Sequence, residues 1–131
     1  MRGNTYLAFD FGTRRIGVAV GQDVSRTASA LDTVHVRNGH PDWDALAALI
    51  EQWAPERLVL GKPVTTDGTD HPLAAAIDRF ARRLEGRFGI SVLFVDETLS
   101  TYAAERDPDS SRSGVDAVAA RVILESWFLE N

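Results

Sequence analysis

The chain has 131 residues, a net charge of −5 at neutral pH, 44% hydrophobic and 25% charged residues, and no cysteine. That length supports one domain with its own apolar core, and the lack of thiols excludes a cysteine nucleophile, a Cys-based metal site and a disulfide framework. No apolar run approaches the roughly 18 residues of a membrane span and no signal-peptide core precedes the first strand, so a single cytoplasmic domain over residues 1–131, without membrane contact, is expected.

The segments around 6–10 and 15–21 alternate with period two across a Gly-Thr-Arg-Arg turn and predict a β-hairpin. Leu7, Phe9 and Phe11 share one face, and Ala8, Asp10 and Gly12 the other. In the second strand Ile16, Val18 and Val20 alternate with Gly17, Ala19 and Gly21. Asp10 therefore stands on a face of small residues, with open space expected above it for an ion and a substrate phosphate. An unpaired buried carboxylate costs several kcal/mol, so a cationic partner or a metal is expected there.

A third strand is predicted over 30–36. A helix opens at Pro41-Asp-Trp-Asp and runs to Trp53, with Trp43, Leu46, Ala47, Ile50 and Trp53 at helical spacing and Pro55 just past its end. A short buried strand (57–61) leads into a polar loop, Lys62 to Asp70. The next helix, about 72–88, carries an apolar stripe and stops at Gly89. After a strand at 91–96 come a short helix (99–106), a turn-rich loop (107–114) and a closing helix (115–129). The order β-β-β-α-β-α-β-α-α predicts an α/β fold: a five-stranded mixed sheet, three antiparallel strands plus two parallel, with helices on both faces.

Three acids stand out by position: Asp10 within the first strand, Glu97 at the carboxyl end of the last strand, and Asp116 in the first turn of the last helix. Ligands of open α/β sheets gather at the carboxyl ends of strands, so these three can converge although far apart in sequence. Oxygen donors without Cys or a regular His pair favour Mg²⁺ or Mn²⁺ over zinc, and a pair of such ions activates water and stabilises the leaving oxygen of a phosphodiester. Each acid also has a plainer role. Asp116 complements a helix dipole, Glu97 is an ordinary strand-end acid, and Asp10 pairs with Arg14 or Arg15. Thr13, Arg14, Arg15, Lys62 and Thr69 are the candidate substrate-binding residues, supplying hydroxyls and cations for phosphate. Arg79, Arg83 and Arg87 recur every four residues, as on a solvated helix face or a nucleic-acid track. His35, His40 and His71 lack ligand spacing and are read as surface residues.

Four segments carry a family resemblance: Asp10-Phe-Gly-Thr-Arg-Arg-Ile-Gly-Val-Ala, Val59-Leu-Gly-Lys-Pro with Thr66-Asp-Gly-Thr69, Val95-Asp-Glu-Thr-Leu-Ser-Thr101, and Val115-Asp-Ala-Val-Ala-Ala-Arg-Val-Ile-Leu-Glu125. In this order and spacing they resemble the YqgF/RuvX family of Holliday-junction-resolvase-like proteins and pre-16S rRNA nucleases, over nearly the whole chain. The resemblance implies an RNase H-like fold, with Asp10, Glu97 and Asp116 as metal-binding catalytic acids. It also implies metal-dependent phosphodiester hydrolysis that leaves a 5′-phosphate, in 16S rRNA maturation during ribosome biogenesis. Thr98 stands where the family has arginine, Lys62 where it has leucine, and Tyr102 to Gly114 is shorter and more acidic than the family's segment.

The expected partner is nucleic acid, pre-16S rRNA or structured RNA ahead of branched DNA, acted on by a monomer or weak homodimer. Two other functions compete: a Holliday-junction-type DNA endonuclease, which calls for a symmetric dimer, and a non-catalytic RNA- or ribosome-associated factor. The opening motif also resembles the first phosphate motif of actin- and hexokinase-type ATPases, which close two such domains on a nucleotide.

Overall fold

A computed structural model describes residues 4–63, 71–96 and 115–131. The first hairpin forms as β1 (Thr5–Phe11) and β2 (Arg15–Gln22), followed by β3 (Thr27–Arg37), β4 (His40–Pro41), α1 (Trp43–Trp53), β5 (Arg57–Lys62), α2 (Ala74–Phe88), β6 (Val92–Asp96) and α3 (Val115–Glu130). The sheet order is β4-β3-β2-β1-β5-β6. β1 to β4 pair antiparallel, while β5 and β6 add in parallel beside β1. The predicted helix at 99–106 and the loops at 64–70 and 107–114 lie outside the described residues.

The sheet has six strands rather than five. The added strand is short β4, and a tight turn makes it: Asn38 and Gly39 take φ of 52° and 77°. Positive φ at both central residues is what a two-residue hairpin turn matched to strand twist requires, and Asn-Gly supplies it at little cost. β3 also begins three residues earlier than its alternation suggests. Val18 pairs with Asp32 but Ala19 with Ala30, so Leu31 is an extra, bulged residue that flips the pattern upstream of it.

The two faces of the sheet are built from different materials. On one, Leu7, Phe9, Ile16, Val18, Leu58 and Leu60 meet α1 and α2. Asp42 caps α1, its Oδ1 accepting from the Ala45 N–H at 3.1 Å. Phe80 of α2 is the centre of this face, with ring centroids 5.9 Å from Phe9, 5.1 Å from Phe11 and 5.7 Å from Trp43. On the other face Ala8, Ala19, Val59 and Val95 lie under Ala120, Ile123, Leu124 and Phe128 of α3. No helix among the described residues is long and apolar enough to cross a membrane.

Candidate active site

The geometry of the acids follows from Gly17. Asp10 and Gly17 are register partners in the β1–β2 ladder, about 5 Å apart as such partners are. A Cβ on Gly17 would sit 1.7 Å from the Asp116 carbonyl oxygen and 2.8 Å from the Ala117 nitrogen. The first turn of α3 thus rests directly on the backbone of β2, and its second residue, Asp116, is set down beside Asp10. The open space expected above the small-residue face is filled by this helix. At Gly17 the missing side chain lets the helix backbone approach; at Gly21 it makes room instead for the Thr27 carbonyl of β3 and the Leu124 side chain of α3, which a Cβ would meet at 2.5 Å and 2.8 Å.

Asp10 is half-buried, and so is Asp116. Arg15, the first residue of β2, donates from Nε to Asp116 Oδ2 at 2.8 Å. The cation of the opening motif therefore meets the acid of the closing helix, joining residues 101 positions apart. Both partners are substantially exposed, 57% and 32% in their side chains. An ion pair in that setting is worth at most about 1 kcal/mol, so stronger ligands can displace Arg15.

Of the remaining predicted site residues, Thr13 and Arg14 are exposed in the β1–β2 turn, next to the acids in sequence. The Arg14 carbonyl accepts from the Val36 N–H at 2.9 Å, which ties the turn to β3. Lys62 is not brought to Asp10 and Asp116. Its Nζ lies 3.3 Å from Asp78 Oδ1 of α2 and 5.3 Å from the Phe94 ring centroid, on the α2 side of the sheet. Because Phe9 and Phe11 flank Asp10 and face α2, Asp10 faces the other side. Glu97 and Thr69 lie outside the described residues.

Among the described residues, no group of three acids or histidines is placed to hold a metal. His35 and His40 are exposed, and His71 Nδ1 accepts from the Leu73 N–H at 3.1 Å. One feature of the α2 side departs from the sequence reading. Arg79 and Arg83 do not face solvent alone; together with Thr13 they rim a cleft of about 310 Å³. The available signal was the pair of arginines one turn apart on either side of the aromatic Phe80.

Comparison with known proteins gives a consistent picture. The family described as RuvX, Holliday junction resolvase, matches residues 4–130. A protein of Yersinia enterocolitica named "Putative pre-16S rRNA nuclease" is 45% identical over 137 residues, covering 99% of this chain and 98% of that protein. A Pectobacterium carotovorum protein of the same name is 44% identical over 135 residues, covering 98% and 97%. Among solved structures, Thermus thermophilus RuvC in complex with a Holliday junction substrate superposes with a TM-score of 0.62 at 13% identity, covering 96% of this chain and 94% of that one. The fowlpox virus resolvase in complex with Holliday junction DNA gives 0.60 at 11%, covering 96% and 97%. At these identities the likeness is one of fold, and it makes the α/β architecture RNase H-like.

Proposed function

Because the chain belongs to the RuvX family, we propose that it is a nuclease, a hydrolase of phosphodiester bonds that matures the 5′ end of pre-16S rRNA in the cytoplasm. The observation that carries this reading is the seating of α3 on Gly17, which puts Asp116 beside Asp10 in a fold shared with resolvases. We assign Asp10, Asp116 and Glu97 as the catalytic acids, with Thr13, Arg14, Arg15, Lys62 and Thr69 in substrate binding. Arg15 is the best placed of these and Lys62 the least.

Two half-buried carboxylates on residues that both border Gly17 are a hard-oxygen donor set, fit for Mg²⁺ or Mn²⁺. When bound, such ions, two by our reading, lower the pKa of water and stabilise the charge on the leaving oxygen. The protein's own groups have separate tasks. Asp10 is fixed by the strand ladder and Asp116 by the helix it heads, so neither must reorganise during reaction. Arg15, held at the rim by Asp116, exchanges that carboxylate for the phosphate of the substrate, whose two oxygens its planar fork matches. The pre-16S rRNA nuclease name of the relatives favours RNA over a four-way DNA junction, and cleavage by a monomer or weak homodimer suffices for it.

The test is cleavage of labelled precursor 16S rRNA and of a four-way DNA junction, with Mg²⁺, Mn²⁺ or EDTA, by wild type, Asp10→Asn and Asp116→Asn. Metal-dependent cutting of the RNA that falls by at least about 100-fold in both variants is expected, as for loss of a group acting in the transition state. Equal cutting by Asp10→Asn defeats the site. Cutting of the junction alone makes the protein a DNA endonuclease, and cutting of neither makes it a non-catalytic RNA-associated factor.

A further inference from the structure

On the sheet face away from the acids, a cleft of about 310 Å³ opens between the strand ends and α2. Its walls are apolar, with Phe11 from β1, Pro41 from β4 and Ala76 and Phe80 from α2. Thr13 supplies a hydroxyl at one edge, and Arg79 and Arg83, one helical turn apart, stand along the other. Both arginines are exposed, and among the described residues neither has an ion-pair partner. Arg87, further along the same helix, stacks its guanidinium 4.3 Å from the Trp43 ring centroid. With Arg82, α2 carries four of the thirteen arginines of a chain whose net charge is −5. Two of these four, Arg79 and Arg83, line the apolar cleft.

We propose that this cleft is a second nucleic-acid site that takes one unpaired nucleotide of a single-stranded RNA segment. The base lies on the partly exposed Phe11, with the buried Pro41 and Phe80 as the floor behind it, and its phosphates lie between Arg79 and Arg83. A nucleotide satisfies both halves of the cleft: a flat apolar ring for the aromatic wall and a doubly shared negative charge for two guanidinium forks. The volume suits a base and is too narrow for a duplex. The entrance at Thr13 belongs to the turn that continues into Arg14 and Arg15, so a strand leaving the cleft crosses the hairpin tip toward Asp116. In this arrangement the cleft holds a single strand at a fixed distance from the acids and selects substrates with an unpaired flank. The choice of RNA rests on the proposed function; the cleft itself does not.

Binding is measured in the Asp10→Asn background with EDTA, so that nothing is cut, by fluorescence anisotropy of a labelled single-stranded RNA and of the same sequence as a blunt duplex. Arg79→Ala/Arg83→Ala should weaken single-strand binding about tenfold and flatten the dependence of log K on log salt by about 1.4, two phosphates' worth. Ala76→Leu, which fills the cleft and leaves every charge in place, should weaken single-strand binding and spare the salt slope and the duplex. Intrinsic emission of the three tryptophans, Trp43 packed on Phe80 among them, reports that each variant is folded. Single-strand binding unchanged in both variants overturns the proposal. So does a loss in the arginine variant with none in Ala76→Leu, which makes α2 a plain charged face. Retained cleft binding in a protein that cleaves no RNA overturns the proposed nuclease and leaves the cleft standing.

Discussion

The two faces of the sheet solve the packing problem in opposite ways. Toward α1 and α2 the strands present Leu, Phe, Ile and Val, and the helices stand off at the distance those side chains set. Toward α3 they present Ala8, Gly17, Ala19 and Gly21, and at Gly17 the helix backbone comes down almost onto the strand, while further along Ile123, Leu124 and Phe128 fill the interval. The thick face carries most of the apolar burial, at about 1.5–3 kcal/mol for each fully buried large side chain. The thin face gives up part of that burial to gain position: a helix resting on a glycine has no side-chain layer in which to shift. With Asp10 and Asp116 as the catalytic acids we propose, stability and catalytic geometry are lodged on different sides of one sheet, and mutations should separate them.

The largest effect is expected from Phe80→Ala. Phe80 is 2% exposed and touches three other aromatic rings, so truncation should cost about 3–5 kcal/mol. Cleavage per folded molecule at saturating RNA should persist where the protein survives, because the acids lie across the sheet and Phe80 meets the substrate only through the cleft wall. Chemical denaturation beside a cleavage assay measures both, and a fall in activity beyond the loss of folded protein would break the separation.

Gly17→Ala is the converse. One methyl group cannot fit 1.7 Å from the Asp116 carbonyl, so the start of α3 must lift, at about 3 kcal/mol for overpacking of this kind. Unlike Phe80→Ala, it should lower activity far more than its stability loss explains, since lifting α3 carries Asp116 away from Asp10. Loss of the N-cap in Asp42→Ala calibrates the thick face at a smaller scale. About 1 kcal/mol, or about 3–4 °C in Tm, with cleavage unchanged is expected.

This difference also explains what the sequence made legible. Alternation in β1 and β2 assigns every side chain to the correct face, and the helical stripes place α1, α2 and α3 to within two residues. Asp10 and Asp116 are recognisable because a carboxylate within an apolar strand, and another heading an apolar helix, are each out of place locally. The role of the glycines is hidden. A small residue reads equally as a vacancy or as a seat for another backbone, and only the long-range approach of α3 decides between them. Leu31 is hidden for a similar reason, since a bulge is defined by its partner strand. Asn38-Gly39 is a turn signal in the sequence, but the two-residue strand after it carries no alternation that marks it as a strand. Lys62 shows the limit of arguing from position along the chain: the end of a strand is near the acids, but its face decides which residues it meets, here Asp78 and Phe94.

The smallest expected change in stability tests the thin face most sharply. Arg15→Ala removes a 2.8 Å contact between an exposed arginine and a half-buried aspartate that solvent still reaches, so unfolding free energy should move by less than about 1 kcal/mol. Its effect on ion binding should be larger and of the opposite sign. With Asp116 as the metal ligand we propose, Arg15 competes with a divalent cation for Asp116 Oδ2, and its removal returns that oxygen to the ion without disturbing the backbone seat on Gly17. Calorimetric titration with Mg²⁺ or Mn²⁺ should show affinity tightened severalfold, while cleavage falls because a phosphate ligand is lost. Unchanged ion affinity would place the ion away from Asp116 Oδ2. The close approach of α3 would then serve packing alone, and the division of labour between the two faces would fail at the residue that most depends on it.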